Sequence, residues 1–359
     1  LRVIIDIGHP AHVHLFKNLA WRLQDSGHKV LFTCRDREHV VYLLKKYGFV
    51  YENYGKHYKN MQGKLYGLAK NEMQMLNTAL SFKPDLFISH GSTIAAHSSF
   101  LVRKPHIALE DTFNMEQVRL SMPFTDVVLT GDYPHTSLGK KEIQYPGYHE
   151  LAYLHPNVFT PDESVLDSLG VRKDEKYVIV RFVAWAATHD VGHAGMSLDN
   201  KMKLVNALAK NMKVFISSEV ELPSELKDYQ IRIRPDEMHS ALAFAHLFVG
   251  ESSTMATEAA CLGIHSVYIN DSQLGYITDL AKQGLIYPFT ESESDQLFAI
   301  AKASEIAMNE DTSFCKELQS RLLQNKNDVS SFLYWFVINY PQSKLEIMGT
   351  DRFDFSRFK

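Results

Sequence analysis

Residues 247–263 read LFVGESSTMATEAACLG, and this stretch decides how the remainder of the chain is parsed. Leu247, Phe248 and Val249 form a short apolar run of strand character, and Gly250 permits a tight turn directly after it. Ser252, Ser253 and Thr254 then bring hydroxyls to the start of a helix, where they cap backbone N–H groups or donate to an anion. Ala256, Ala259 and Ala260 keep that helix slim enough to lie close to a sheet, and Gly263 closes it. A helix N-terminus offers unpaired N–H groups and a partial positive charge, so a pyrophosphate fits there. Glu258 lies four residues beyond Thr254, one turn along the same face. There a carboxylate is too close to a phosphate to bind it, and is placed to accept hydrogen bonds from two ribose hydroxyls. The competing reading of the same residues is a well-capped helix with a solvated glutamate.

The strand-and-helix rhythm continues on both sides. Residues 177–183 and 213–217 read as strands with a helix over 199–211 between them. A short strand over 231–233 and a helix over 238–245 lead into the quoted stretch, and 266–269 is the strand after it. In the first half, strands are predicted over 2–7, 28–34, 85–89, 106–109 and 126–130, and helices over 15–24, 38–47 and 94–101. Apolar β-rich runs alternating with helices imply parallel sheets covered on both faces. Residues 145–160, YPGYHELAYLHPNVFT, carry two prolines and a glycine and read as an inter-domain connection. The expected fold is α/β, with Rossmann-like doubly wound domains over 1–150 and 151–330. The tail, 331–359, is too aromatic to be free and is expected to pack back across the hinge onto the first domain. Ligands of such sheets bind beyond the carboxyl ends of the strands, and two facing domains put the active site in the cleft between them.

A length of 359 residues suits two domains, and 45% hydrophobic with 22% charged residues is ordinary for a soluble globular chain. The net charge of −4 argues against a nucleic-acid partner. That charge is uneven: residues 1–150 hold 18 basic and 14 acidic side chains, the remainder 20 and 28. The basic excess is either chance or an adaptation to something anionic, such as a lipid-linked acceptor or a membrane surface. The acid-free segment 56–70, KHYKNMQGKLYGLAK, reads as a flap, a membrane-facing acceptor loop or a solvated helix edge. Cys34, Cys261 and Cys315 form no C-x-x-C pair, which suits a reducing cytosol. The first residues lack the long apolar stretch of a signal peptide, and the apolar run 332–338 is too short to span a bilayer. A cytoplasmic location is expected, with peripheral contact at the inner membrane face through the N-terminal domain as a further expectation.

The 250–263 segment resembles the donor-binding element of GT-B glycosyltransferases and their epimerase relatives. The chain as a whole is similar to the DUF354 family of GT-B-like proteins. The similarity runs through RVIIDIGHPAHVHLFKNL (2–19), GYHELAYLHPN (147–157), RPDEMHSALAFAHLFVGESSTMATEAACLG (234–263) and DVSSFLYWFVINYP (328–341). It implies a GT-B fold, a Ser/Gly-rich loop on the pyrophosphate, a helix glutamate on the ribose, and a nucleobase against the backbone at 233–238. The implied donor residues are Glu251, Ser252, Ser253, Thr254 and Glu258, with Arg234 and Met238 near the base. Arg181 ends the first strand of the second domain, before the loop FVAWAATHDVGH (182–193), and either faces the phosphates or forms a strand-end salt bridge. No cofactor is expected beyond the nucleotide sugar itself.

The first strand runs into Gly8-His9-Pro10-Ala11-His12-Val13-His14. Three histidines so close raise a metal reading, but a zinc site needs its ligands on one face plus a further partner. His12 and His14 point different ways on an incipient helix, and no Asp-x-Asp triplet occurs anywhere in the chain. No metal ligand is therefore expected. A neutral imidazole at a strand end is a suitable general base for a hydroxyl. PAHVHLFKNLA is similar to the GGHV-type loop of MurG-like transferases, without its run of glycines, which places His12 as base and His9 second. Helix capping is the competing role for both. Two more strand-end clusters are expected at the same cleft: His90 and Ser92 in SHGST, and Glu110 with Asp111 in EDTF. Two unpaired carboxylates are costly in a core, so they either serve the acceptor and the base or cap helices. His12 and Asp111 are the catalytic candidates; His9, His90, Ser92 and Glu110 are the acceptor-binding ones.

Three functions remain open, with metal-dependent hydrolysis a distant fourth. One is inverting, metal-independent transfer of a sugar, UDP-linked by expectation, to a hydroxyl of a surface polysaccharide or glycolipid. Another is epimerisation on the nucleotide in the manner of UDP-N-acetylglucosamine 2-epimerases, with Asp111 and Glu110 as the carboxylates. The third is sugar-nucleotide binding without catalysis.

Overall fold

The computed structural model describes residues 1–37, 39–56, 61–183, 195–309, 311, 313–350 and 352–359; the side chains of 56 and 61–66 lie outside that description. The chain divides into two compact units, Leu1–Val158 together with Lys326–Lys359, and Phe159–Asn325. The first unit begins β1 (Arg2–Ile7), α1 (Pro10–Asp25), β2 (Lys29–Asp36), α2 (Val40–Lys46), β3 (Tyr51–Lys56) and α3 (Met61–Phe82). It continues β4 (Leu86–His90), α4 (Thr93–Leu101), β5 (His106–Leu109), α5 (Met115–Ser121), β6 (Val127–Gly131), β7 (Glu142–Tyr145) and α6 (Leu151–Leu154). The second unit holds α7 (Val165–Leu169), β8 (Tyr177–Phe182), α8 (Leu198–Leu208), β9 (Lys213–Ser218), α9 (Met238–Ala243) and β10 (Leu247–Gly250). It closes with α10 (Ser253–Cys261), β11 (His265–Ile269), α11 (Gly275–Lys282), β12 (Ile286–Phe289), α12 (Glu293–Met308) and α13 (Ser313–Asn325). The returning tail carries α14 (Val329–Ile338) and α15 (Gln342–Met348).

All strand pairs are parallel. The first sheet has the order β3-β2-β1-β4-β5-β6-β7 and the second β12-β11-β10-β8-β9. Parallel sheets need both faces covered, and the central strands comply: Val3, Ile4 and Ile5, and Val178, Ile179 and Val180, are wholly buried. In each sheet the order reverses once, between β1 and β4 and between β8 and β10. At such a switch point successive loops leave in opposite directions and open a crevice at the carboxyl ends of the strands. The polar residue Asp6 is the exception within β1. It is buried, and its carboxylate accepts from Thr33 Oγ1 on β2 at 2.7 Å and from Ser92 Oγ before α4 at 2.6 Å.

The tail is an integral part of the first unit. Phe332 is fully buried with its ring 5.2 Å from that of Tyr145. Arg22 on α1 donates to Ser331 Oγ at 2.9 Å and lies over the Tyr334 ring. Lys326 reaches Asp132 at 2.6 Å.

Several expectations need correction. Residues 145–160 are not simply a connection: Tyr145, Tyr148 and Tyr153 are buried in the first unit, α6 lies among them, and the unit boundary falls after Val158. The aromatics were needed inside because α6 fills the space between α1 and α14. Similarly, the return to the first unit starts at Lys326 rather than 331. Residues 231–233 form no strand; the chain touches β9 only through an isolated bridge, Gln230 to Ile216, and the Ile231 N–H to the Ile216 carbonyl at 2.9 Å. Pro235 starts a 3-10 turn immediately afterwards and leaves no room for a ladder. The loop at 184–193 lies outside the described residues, as do 57–60 of the basic segment 56–70 and the side chains of 56 and 61–66. No helix among the described residues is long and apolar enough to cross a membrane.

Candidate functional site

In the first unit, residues after β1, β4, β5 and β7 converge. The His12 ring, in the first turn of α1, stacks on His90 at 4.5 Å between centroids. His90, the last residue of β4, bonds through Nε2 to Asp111 Oδ1 at 2.9 Å. The His149 ring meets His90 edge-on at 5.5 Å, and its Nδ1 is 2.7 Å from the Tyr145 hydroxyl.

The electrostatics of the four groups differ. Burial disfavours charge on His90, but the Asp111 carboxylate outweighs it and lifts His90 to about 9. Burial likewise opposes ionisation of Asp111, and His90 overrides it, bringing the carboxyl down to about 2. The pair is therefore an imidazolium and a carboxylate at neutral pH. Burial, and next the charge on His90, hold His12 well below its usual value, so it is neutral. Burial also lowers His149, to about 4. The Gly8 N–H points at His12 Nδ1, 3.3 Å away, so Nδ1 carries the lone pair and Nε2 the proton.

Gly91 shapes the β4–α4 turn. Its φ of +56° suits glycine, and a Cβ there would lie 2.8 Å from Glu110 Oε2. Glu110 itself is used structurally. Its Oε1 accepts from the Thr112 N–H and hydroxyl and from the Phe113 N–H, at 3.0, 2.9 and 2.9 Å. Ser92 is spent in the same way, accepting from the Ala95 N–H at 3.2 Å as the cap of α4 while donating to Asp6. His9 caps α1, its Nδ1 accepting from the Ala11 N–H at 3.2 Å. His14 turns to the other side of α1, where Tyr47 and Tyr153 meet it. Of the six first-domain candidates, then, His12, His90 and Asp111 form one cluster. His9 and Ser92 cap helices and Glu110 braces the turn beside it. His149 was missed, because it sits in the stretch read as a connection.

In the second unit, α10 begins at Ser253 with Ser252 as its cap, the Ser252 hydroxyl accepting from the Met255 N–H at 3.3 Å. Ser252, Ser253, Thr254 and Met255 are half-buried, whereas Ala256, Ala259 and Ala260 are fully buried. Gly250 still belongs to β10 and makes no turn. A Cβ on it would lie 2.6 Å from the Arg181 carbonyl, so its small size serves strand packing. Gly263, with φ +71°, is the left-handed residue that ends α10. Glu258 is buried and bonds to His239 Nε2 at 2.9 Å. That bond ties the Arg234–Met238 turn, which leads into α9, to the α10 helix. Arg234 is folded onto its own turn, 2.9 Å from Glu237.

Two donor candidates have protein partners of their own. Glu251 is buried, accepting from the Val183 N–H at 2.8 Å and the Met196 N–H at 2.6 Å. It joins Val183 to Met196. Arg181 bonds to Ser217 at 2.7 Å and Glu219 at 2.6 Å, the strand-end salt bridge. The remaining donor candidates, Ser252, Ser253, Thr254 and Glu258, share one helix, with Met238 beside it.

Comparison with known proteins agrees with this architecture. Residues 1–290 match the family described as Protein of unknown function (DUF354). An uncharacterised protein of Methanocaldococcus jannaschii is 26% identical over 279 residues, covering 74% of this chain and 81% of its own length. Among solved structures, a putative UDP-N-acetylglucosamine 2-epimerase from Listeria monocytogenes superposes with a TM-score of 0.70 at 12% identity, covering 99% of this chain and 98% of that one. The glycosyltransferase SsfS6 of Streptomyces sp. SF2575 superposes with a TM-score of 0.58 at 11% identity, covering 94% and 99%. The fold is thus GT-B, shared by transferases and epimerases alike. With most of its length matched and the fold in agreement, this chain is a member of the DUF354 family.

Proposed function

We propose that the chain is a nucleotide-sugar enzyme that transfers a sugar, from a UDP-linked donor, to a hydroxyl acceptor with inversion. The observation that carries this reading is the neutral His12 packed on the His90–Asp111 ion pair at the sheet's switch point. Donor binding is assigned to the second unit. There the α10 N-terminus faces the diphosphate, with Ser253 and Thr254 at its start, and Glu258 takes the ribose hydroxyls. Proton transfer is assigned to the first unit. His12 accepts the proton of the acceptor hydroxyl as that oxygen attacks the anomeric carbon, and the bond from that carbon to the diphosphate breaks. To accept at Nε2, His12 must give up its Gly8 contact. At 3.3 Å that contact is at the long limit of a hydrogen bond, so the exchange costs about 1 kcal/mol. The polysaccharide or glycolipid acceptor, and a cytoplasmic or peripheral membrane setting, belong to the same proposal.

A second reading has its own support. The cluster holds a proton acceptor, neutral His12, beside a proton donor, cationic His90, which is what epimerisation of a nucleotide sugar needs without any acceptor. The full-length superposition on a putative UDP-N-acetylglucosamine 2-epimerase supports it too. Incubating UDP-N-acetylglucosamine with the protein in deuterated water separates the two. Transfer predicts no deuterium at C2 and no turnover until an acceptor is added. Deuterium at C2 in the absence of acceptor selects epimerisation and overturns transfer.

A further inference from the structure

We propose that His90, Asp111 and His149 form a binding site for one divalent transition-metal cation of the zinc class. Each residue offers one donor atom, and the three atoms lie within 4.8 Å of one another. Zinc bound at about 2.0–2.2 Å by such donors sets them roughly 3.3 Å apart, so closure requires the wider pairs to draw in by up to about 1.5 Å and His90 and Asp111 to part slightly. Two imidazoles and one carboxylate form a donor set that zinc, iron, cobalt and nickel accept, and three ligands leave positions for water or a substrate hydroxyl.

His149 carries the argument. It is 4% exposed, and its Nε2 is buried without a hydrogen-bond partner. Buried polar atoms are nearly always satisfied, so an orphaned imidazole nitrogen on a ring clustered with a carboxylate and a second imidazole calls for a ligand. Its other nitrogen is held by the Tyr145 hydroxyl, which fixes the ring and leaves Nε2 as the nitrogen for a cation, the usual support for a metal-binding histidine. The surroundings favour a positive charge: Glu110 and Glu150 are both buried beside His90 and act on it electrostatically.

The site is distinct from the His9–His14 run. His9 caps its helix, His14 faces Tyr47, and His12 only stacks on His90. It departs from the metal independence expected of the sequence; it is compatible with transfer or with binding of a sugar nucleotide alone, whereas a cation on His90 removes the proton donor that the epimerisation reading uses. In the metal-free state the His90–Asp111 hydrogen bond occupies the position, so the cation replaces the proton they share.

The test uses the full chain, stripped with a chelator, then titrated with cobalt followed by visible absorption and with zinc by calorimetry. One equivalent of cobalt should give d–d bands of a low-coordinate nitrogen–oxygen site. His149→Gln and Asp111→Asn should each weaken zinc binding at least tenfold. Tyr145→Phe, which reaches the metal only through His149, should weaken it about tenfold. His28→Gln, at the exposed end of the sheet, should change nothing and so accounts for adventitious histidine binding. Should His149→Gln fail to fold by circular dichroism, Asp111→Asn and Tyr145→Phe decide the matter. No cobalt bands at one equivalent, or zinc affinity within twofold of wild type in Asp111→Asn and Tyr145→Phe, overturns the site.

Discussion

Ser92→Ala separates a structural serine from an acceptor-binding one. The hydroxyl has two partners: it caps α4 through the Ala95 N–H, and it donates to the buried carboxylate of Asp6. Loss of a helix N-cap costs about 1 kcal/mol, and loss of a hydrogen bond to a charged group costs about 1.5–3 kcal/mol. Thr33 remains as the partner of Asp6, so the carboxylate is weakened rather than orphaned. The expected destabilisation of the first unit is therefore about 2–4 kcal/mol, a 30- to 1,000-fold faster exchange of its slowest amides at about 1.4 kcal/mol per tenfold. Native-state hydrogen exchange with mass spectrometry reads this directly on β1 and α4, with peptides from the second unit as the internal reference, since a two-unit chain is unsuited to a single denaturation midpoint. Exchange slowed or accelerated by less than threefold on α4 would refute the structural role. A raised KM with unchanged exchange would return Ser92 to the acceptor.

Two further expectations follow from the packing. Gly250→Ala puts a Cβ 2.6 Å from a backbone carbonyl of the neighbouring strand, which backbone cannot yield cheaply; the second unit should lose about 1–3 kcal/mol, seen as a lower calorimetric melting temperature, and an unchanged one contradicts the strand-packing role. His106 is wholly buried, and burial brings it down to about 3. A depressed histidine binds its proton in the unfolded chain first, so its contribution is present above about pH 6.5 and is lost as pH falls toward 3, at about 1.4 kcal/mol per unit. First-unit stability should fall across that window, and His106→Asn, which keeps polar contact with Ser89 and Thr125, should flatten the slope; an unchanged slope in the variant would show that other groups set it.

What the sequence made legible was local. β1, β4, β5, β8 and β10 are short apolar runs with turn residues beside them, and their period is plain in the residues. β3, β7 and β12 were not legible. YENYGK and EIQY are mixed in polarity because each lies at a sheet edge, where one side is open, and the proline of IYPF argues against a strand unless it is an edge one. The strand ends drew attention to His12, His90 and Asp111, which the structure brings together, because such ends carry polar residues that a core would not keep. The same signal drew in Ser92, Glu110 and Glu251, whose observed partners all lie in neighbouring loops and elements, since a carboxylate or hydroxyl at a strand end ties loops together as readily as it binds a ligand. Nothing in the spacing distinguishes those uses; only partners 86 residues apart, as for Asp6 and Ser92, do. His149 had no local signal at all. It enters the cluster because β7 completes the sheet and returns the chain past His90.

The central claim is that the α10 segment holds a nucleotide, and calorimetric titration of UDP into wild-type and Glu258→Gln protein tests it most directly. A buried glutamate that accepts from two ribose hydroxyls is worth about 1.5–3 kcal/mol per charged bond, so losing the charge should weaken UDP roughly tenfold or more, at about 1.4 kcal/mol per tenfold. The same variant should show no further loss with 2′-deoxy-UDP, because the partner hydroxyl is already unserved. Equal UDP affinity in the two proteins, or no binding by wild type at millimolar UDP, would contradict the account.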